Sequence, residues 1–224
     1  MTTLHAVQDE WLRRVEAEYR SAALTQQLGL WLLQLGASPD LIKASLLIVE
    51  DELIHSEHAF EVYKEAGGDK SPIIDVTTAT AENSSLPLET KLLERCLYTY
   101  CLGETIAVPL FTAMRKHAKV PVVCRTLDRI CKDEVRHREF GWALLGWLQS
   151  FLGKEKVNAY AEQALPGLYK LYAGLYGEVD DSNTLPQSHG EWGLISALEY
   201  KGALHKASQK FIAPRLDSLG IAFQ

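Results

Sequence analysis

The sequence contains no run of eighteen apolar residues. Acidic residues lie within its first ten positions, where a secretory signal would have an apolar stretch. These absences argue against a membrane-spanning helix and against a secretory signal peptide. We therefore expect a cytoplasmic protein that makes no membrane contact.

Cysteine is scarce, and none of the four cysteines forms a Cys-x-x-Cys pair. The chain therefore has no sign of a rubredoxin-type iron module. All four cysteines fall within segments of helical periodicity, so we expect them to be reduced residues of the core. They are Cys96, Cys101, Cys124 and Cys131.

Charge of one sign is not concentrated in any part of the sequence. The net charge is −6, and lysine and arginine are interspersed with acids. We therefore expect no surface for nucleic acid or for an anionic membrane. The 224 residues suffice for one well-buried core, and nothing in their composition marks a second domain. We expect a single domain over 1–224 that acts on small molecules or contacts other proteins.

Helical signals predict two hairpins. In the first hairpin, a helix over about 6–35 stops at Gly36, and a helix over about 39–65 is ended by Gly67 and Gly68. Ser38 and Pro39 are typical of the start of the second helix. The loop between these helices is so short that they must lie antiparallel.

A long polar crossover, 67–86, separates this hairpin from a second one. The pattern as a whole predicts an all-α fold. It consists of a ferritin-like four-helix bundle over 6–153, with a long crossover between helices 2 and 3, plus two additional C-terminal helices over 154–224. The remaining predicted elements are a third helix over about 86–117 with a kink at Pro109, a fourth over 121–152, and further helices over about 154–176 and 191–219, separated by a polar loop at 177–189.

The motif Glu-x-x-His occurs twice, as Glu52-Leu53-Ile54-His55 and as Glu134-Val135-Arg136-His137. Residues three apart share one face of a helix, so each motif aims a carboxylate and an imidazole at the same point. Both motifs stand where the apolar stripe of their helix requires core residues. Because a buried carboxylate without a partner costs several kcal/mol, we predict that metal ions neutralise these side chains.

The other two bundle helices each offer one further carboxylate. Glu104 interrupts the apolar stripe of the third helix, and the first helix offers Glu16 and Glu18. Glu18 continues the core stripe, whereas Glu16 lies about 160° away around the helix axis. We therefore choose Glu18. The predicted ligands are Glu18, Glu52, His55, Glu104, Glu134 and His137.

Ligands of this kind suit two first-row metal ions. Four carboxylates and two imidazoles neutralise a pair of divalent ions, and the mixed oxygen and nitrogen donors favour iron or manganese over a metal that prefers thiolate. We expect two iron ions, with an iron–manganese pair or two manganese ions as alternatives.

Three further kinds of residue lie close to these ligands in the sequence. Asp51 and Asp133 each precede a ligand glutamate, and because ligand histidines usually donate their second N–H to a carboxylate, we predict that each Asp orients the histidine of the opposite hairpin. Tyr100 lies one turn before the third-helix ligand, where it could relay electrons, hold a radical or only pack in the core. His58 is either a spare ligand or an exposed residue.

The motifs together resemble those of the ferritin-like diiron-carboxylate superfamily. The chain is most similar to a group of small bacterial ferritin-like proteins of mostly unassigned function, and the similarity covers nearly its whole length. It supports Glu18 as the ligand of the first helix. One departure is Tyr19, where the group usually has histidine. The matching stretches are Glu18-Tyr19-Arg20-Ser21, Leu35-Gly36-Ala37-Ser38-Pro39-Asp40-Leu41, Asp51-Glu52-Leu53-Ile54-His55, Gly103-Glu104-Thr105, Asp133-Glu134-Val135-Arg136-His137 and Ile212-Ala213-Pro214-Arg215-Leu216.

The ligand set and the resemblance lead to three function hypotheses. The first is a diiron oxidase or oxygenase that activates dioxygen to oxidise or oxygenate a small organic substrate. The others are a ferroxidase that handles iron in a ferritin-like shell, and a non-catalytic bundle that keeps metal for stability. The expected partners are the small-molecule substrate, dioxygen and an external electron donor, because the chain has no flavin motif. A homodimer is a further candidate assembly.

Overall fold

The computed structural model describes residues 4–74, 85–175 and 185–223. These residues form helices joined by turns and loops, without a strand, so the all-α class is confirmed for the described ranges. No helix among them is both long and apolar enough to cross a membrane. The helices are α1 (His5–Gln34), α2 (Pro39–Glu65), α3 (Leu88–Arg95), the π-helix π1 (Cys96–Glu104), α4 (Thr105–His117), α5 (Pro121–Leu152), α6 (Lys154–Gly174), α7 (Gln187–Glu191), α8 (Ala197–Ala207), the π-helix π2 (Ser208–Ile212) and α9 (Ala213–Ser218).

The loop between α1 and α2 follows the local chemistry of its residues. Gly36 takes a φ of +69°, which a side chain would strain, and this lets the backbone N–H of Ala37 donate to the carbonyl of Leu32 at 2.9 Å. Ser38 then has the extended backbone of an N-cap, and Pro39 is the first residue of α2. Both helices begin and end within one residue of the predicted bounds.

The third predicted helix contains a feature that its sequence pattern does not reveal. α3, π1 and α4 follow one another without a break, and the helix continues through Pro109. In π1 the backbone hydrogen bonds run from residue i to i+5, so the turn is wider than in an α-helix. Nine residues wound in this way shift the direction of every side chain in π1, including Glu104 at its end.

The last predicted helix, over 191–219, is wrong as a single element. Gly193 has a φ of +81° and separates α7 from α8. α8 begins after Ser196, whose side chain accepts a hydrogen bond from the backbone N–H of Glu199 while Glu199 reaches back to the Ser196 backbone. α7 also occupies the end of the expected loop at 177–189. Residues 177–184 of that loop, and 75–84 of the predicted crossover, lie outside the described residues.

The described residues group into two compact units. The first unit comprises 4–74, 85, 114–130 and 185–195, and the second comprises 86–113, 131–175 and 196–223. In the first unit, α1 and α2 run antiparallel, as expected from their short loop. Gln8 at the start of α1 donates to the Ala66 carbonyl just beyond the end of α2 at 2.7 Å, and Ser21 donates to Glu52 at 2.8 Å.

In the second unit, α5 packs against π1 at very close range. A Cβ atom placed on Gly141 would lie 2.5 Å from Cβ and 2.8 Å from the carbonyl carbon of Tyr100. The Tyr100 ring packs edge-on against Phe140, with ring centroids 5.0 Å apart. Only glycine permits this approach, and it places the backbone of π1 directly against α5.

We predict that Gly141→Ala destabilises the metal-free protein and that Gly146→Ala, on the same helix, does not. The added methyl group at position 141 meets the backbone of Tyr100, which should cost about 1–3 kcal/mol. At position 146 a Cβ meets no atom within 4 Å, so alanine should be neutral or stabilise by up to about 1 kcal/mol through its helix propensity. Urea unfolding followed by circular dichroism measures both. Equal effects of the two substitutions would contradict the close contact.

Candidate metal centre

The first unit brings three ionisable side chains together. Glu18 of α1 and Glu52 and His55 of α2 each offer one ligand atom, and these atoms all lie within 4.8 Å of one another. All three side chains are buried. The antiparallel packing of α1 on α2 produces this cluster, because it sets the middle of one helix against the middle of the other.

Hydrogen bonding within this cluster holds the Glu52 carboxylate in a defined orientation. Ser21 lies one turn after Glu18 on α1, and its hydroxyl donates to Oε1 of Glu52 at 2.8 Å. The other oxygen of Glu52, Oε2, lies 3.5 Å from Nδ1 of His55. Ser21 lies near Glu18 in the sequence, but the sequence alone gives no reason to pair it with Glu52.

The second unit contains a comparable set of three buried side chains. Glu134 and His137 lie on α5, and Glu104 is the last residue of π1. Nδ1 of His137 lies 3.6 Å from Oε2 of Glu134. A ligand atom of Glu104 and one of His137 lie within 4.8 Å of each other. Each unit therefore buries two glutamates and one histidine, with the histidine three residues after a glutamate.

The structure distinguishes the two candidate glutamates of α1. Glu18 is buried and contributes to the cluster with Glu52 and His55, whereas Glu16 is partly exposed. His58 of α2 is also partly exposed, and its Nδ1 lies 3.4 Å from Oε2 of Glu61.

Both aspartates that precede a ligand glutamate are buried and contact arginine. Arg129 donates to Oδ1 of Asp51 at 3.3 Å, and Arg136 donates to Oδ1 of Asp133 at 3.2 Å. These arginines are partners that sequence reasoning missed, although Arg136 stands three residues after Asp133 and so shares its helical face. The predicted role of each Asp in orienting a histidine stays a prediction.

Two tyrosines of the second unit lie at π1, since Tyr100 belongs to it and Tyr172 lies against it. Tyr100 is buried against Phe140 and Gly141, which is a packing role, and its redox role stays a prediction. Tyr172 of α6 donates its hydroxyl hydrogen to the Tyr98 carbonyl at 2.9 Å. Nothing in the sequence pattern links Tyr172 to Tyr98 or to Glu104.

The hydroxyl of Tyr172 fits against the backbone of π1 because residue 103 is glycine. A Cβ atom on Gly103 would lie 2.5 Å from this oxygen. Burial raises the pKa of the Tyr172 phenol well above its ordinary value, and the nearby Tyr98 and Glu104 raise it further. Tyr172 therefore stays protonated and donates its hydrogen bond beside Glu104.

The chemistry of these donors fits metal ions. Two carboxylates and an imidazole, buried within reach of one another, supply the oxygen and nitrogen ligands that iron and manganese accept. Burying an ionised carboxylate is costly unless something compensates its charge, and a divalent cation held by these side chains would do so. Glu18, Glu52 and His55 can therefore hold a metal ion, and Glu104, Glu134 and His137 offer the same kinds of donor in the second unit.

The sequence matches no protein-family model, and no curated protein sequence is significantly similar to it. The likeness to ferritin-like proteins therefore rests on the motifs and on buried carboxylate and histidine side chains in a helical protein.

We predict that Glu18→Gln lowers the number of metal ions bound per chain, because a neutral amide is a poorer ligand than a carboxylate. Glu16→Gln is the matched control on the same helix. It should leave metal binding unchanged and alter stability by no more than about 0.5 kcal/mol. Anaerobic iron(II) titration with elemental analysis measures the stoichiometry. Metal loss in Glu16→Gln alone would show that α1 presents its other face to the site.

Proposed function

We propose that the two sets of ligands form one dimetal centre, with two iron ions as its preferred occupants, and that the protein uses it to activate dioxygen and oxidise or oxygenate a small organic substrate. The observation that carries this proposal is the burial of four glutamates and two histidines, of which Glu18, Glu52 and His55 have ligand atoms within 4.8 Å of one another. One set supplies too few ligands for a metal pair, whereas both together match the ligands of a carboxylate-bridged site.

The ligand count favours redox chemistry over a purely structural site. Structural metal sites fill every coordination position with protein groups. If six protein ligands were shared between two metal ions, coordination positions would remain in which dioxygen and substrate could bind. Reduced iron bound in this way supplies electrons for dioxygen reduction.

The chain's own residues supply orientation and shielding. Ser21 fixes one oxygen of Glu52 by a hydrogen bond, so the other oxygen points in a defined direction. Arg129 and Arg136 hold Asp51 and Asp133, which we propose as the carboxylates that orient the ligand histidines. The Tyr172 hydroxyl packs against the backbone at Gly103, next to Glu104, and we propose that it helps to shield this ligand from water.

Dioxygen consumption tests the proposed function. We expect metal-free protein loaded anaerobically with iron(II) to consume dioxygen, and to continue beyond the bound iron when an external reductant and an oxidisable substrate are supplied. Glu134→Gln should lose this activity, because it removes a buried ligand carboxylate. Glu57→Gln, at an exposed position of α2, is the control and should retain it.

Other outcomes identify the alternatives. A large shell that stores far more iron than its ligands can hold would indicate iron handling. A lower melting temperature after metal removal, with no reaction towards dioxygen, would indicate a metal-stabilised bundle. Both results would contradict the proposed oxidase or oxygenase activity.

We further predict that Asp51→Asn and Asp133→Asn weaken iron binding by about 10 to 100-fold, as is typical when a partner of a ligand histidine is lost. Asp128→Asn is the control, because Asp128 also pairs with an arginine, Arg115, but at an exposed position. Competition against a colorimetric chelator measures the dissociation constants. If Asp51→Asn and Asp133→Asn bind iron with the same dissociation constant as Asp128→Asn, neither Asp51 nor Asp133 orients a ligand histidine.

A further inference from the structure

Two buried thiols face each other in π1. Cys96 and Cys101 are free cysteines with no measurable exposure, and their Sγ atoms lie 3.9 Å apart. Neither residue belongs to the proposed metal ligands.

The π-helical winding is what makes these two cysteines neighbours. In an α-helix, residues five apart have Cα atoms about 8.7 Å apart, which exceeds the separation of about 7 Å that a disulfide can bridge. In a π-helix, hydrogen bonds join residue i to i+5, so residues five apart lie one above the other on adjacent turns. Cys96 and Cys101 have this spacing and both belong to π1.

A shared acceptor also directs both thiols to the same place. Cys96 and Cys101 each donate their S–H to the carbonyl oxygen of Gly141, at 3.5 Å in both cases. The close packing of Gly141 on Tyr100 fixes this carbonyl relative to π1. Because both Sγ atoms converge on one oxygen, small side-chain rotations can bring them to the S–S bonding distance of about 2.05 Å.

We infer that Cys96 and Cys101 form a dithiol oxidation site, at which hydrogen peroxide converts the two thiols into a disulfide within π1. One thiolate attacks a peroxide oxygen and becomes a sulfenic acid, with release of water. The second thiol then attacks the sulfenic sulfur, which forms the S–S bond and releases a second water molecule. Two thiols are oxidised by two electrons, and one peroxide is reduced to two waters.

The disulfide has a structural consequence for π1. The α-helical form cannot bridge residues five apart, so the oxidised chain must keep the π winding between Cys96 and Cys101. Glu104 ends the same π-helix, three residues after Cys101. Oxidation would therefore keep the segment that ends at Glu104 in its π-helical conformation.

The reaction should be slower than at exposed cysteines. Burial raises the pKa of Cys96 well above its ordinary value, and the adjacent Cys101 raises it further. The thiolate is the reactive form, so its small population at neutral pH limits the rate. Once formed, the disulfide is equally shielded from reducing agents.

Cys124 and Cys131 provide an internal control. Both are partly exposed and both lie on α5. They are seven residues apart, which separates their Cα atoms by about 10.5 Å in an α-helix. They can react with peroxide individually but cannot form a disulfide with each other within that helix.

Mass spectrometry of the peroxide-treated full chain tests the inference. Trypsin cleaves after Arg95 and Arg115, so Cys96 and Cys101 share one peptide, 96–115. After unfolding and alkylation, we expect this peptide to be two hydrogen atoms lighter than its reduced form and unalkylated, and dithiothreitol should restore alkylation at both cysteines. Cys96→Ser and Cys101→Ser should each prevent this change.

If peroxide treatment gives no disulfide, one explanation is that peroxide fails to reach the buried thiols. An equilibrium measurement distinguishes this case from one in which the disulfide does not form at all. Reduced and peroxide-treated protein are incubated in mixtures of reduced and oxidised dithiothreitol until both give the same composition. We expect both samples to converge on a measurable fraction of the 96–101 disulfide. Convergence on fully reduced cysteines in the most oxidising mixture, or a disulfide that involves Cys124 or Cys131 instead, would overturn the inference.

Discussion

A carboxylate removed from water must be compensated by positive charge, and this requirement shapes the core of the protein. Glu18, Glu52, Glu104 and Glu134 are buried in helical segments whose other inward residues are mostly apolar. Buried charged groups are often replaceable by apolar residues without loss of stability, so their presence here suggests a role beyond stability. Histidines one turn after two of these glutamates complete a set of oxygen and nitrogen donors that could hold metal ions.

Close contacts between neighbouring helices position these side chains. In the first unit, the hydrogen bond from Ser21 to Glu52 fixes the register of α1 and α2 at the level of Glu18. In the second unit, Gly141 lets α5 approach π1, so that His137 and Glu104 come within reach of each other. The π winding serves two purposes, because it sets the direction of Glu104 and it brings Cys96 and Cys101 together.

Local chemistry explains why much of this was predictable from the sequence. Gly36 and Pro39 mark helix ends, and the helical phase separates Glu18 from Glu16 without reference to any other segment. The π winding was not predictable, because apolar periodicity does not reveal a locally wider turn. The break at Gly193 was missed because its neighbours continue an apolar pattern. The pairing of Arg129 with Asp51 depends on contacts between residues far apart in the chain.

The central proposal is that these residues bind two iron ions as one dimetal centre, and the magnetic behaviour of bound iron tests it most directly. Metal-free protein is loaded anaerobically with ⁵⁷Fe(II), partly oxidised, and studied by Mössbauer and electron paramagnetic resonance spectroscopy. The account predicts two irons per chain whose spins are coupled through bridging carboxylates. One iron per chain, or two irons with independent mononuclear spectra, would contradict it.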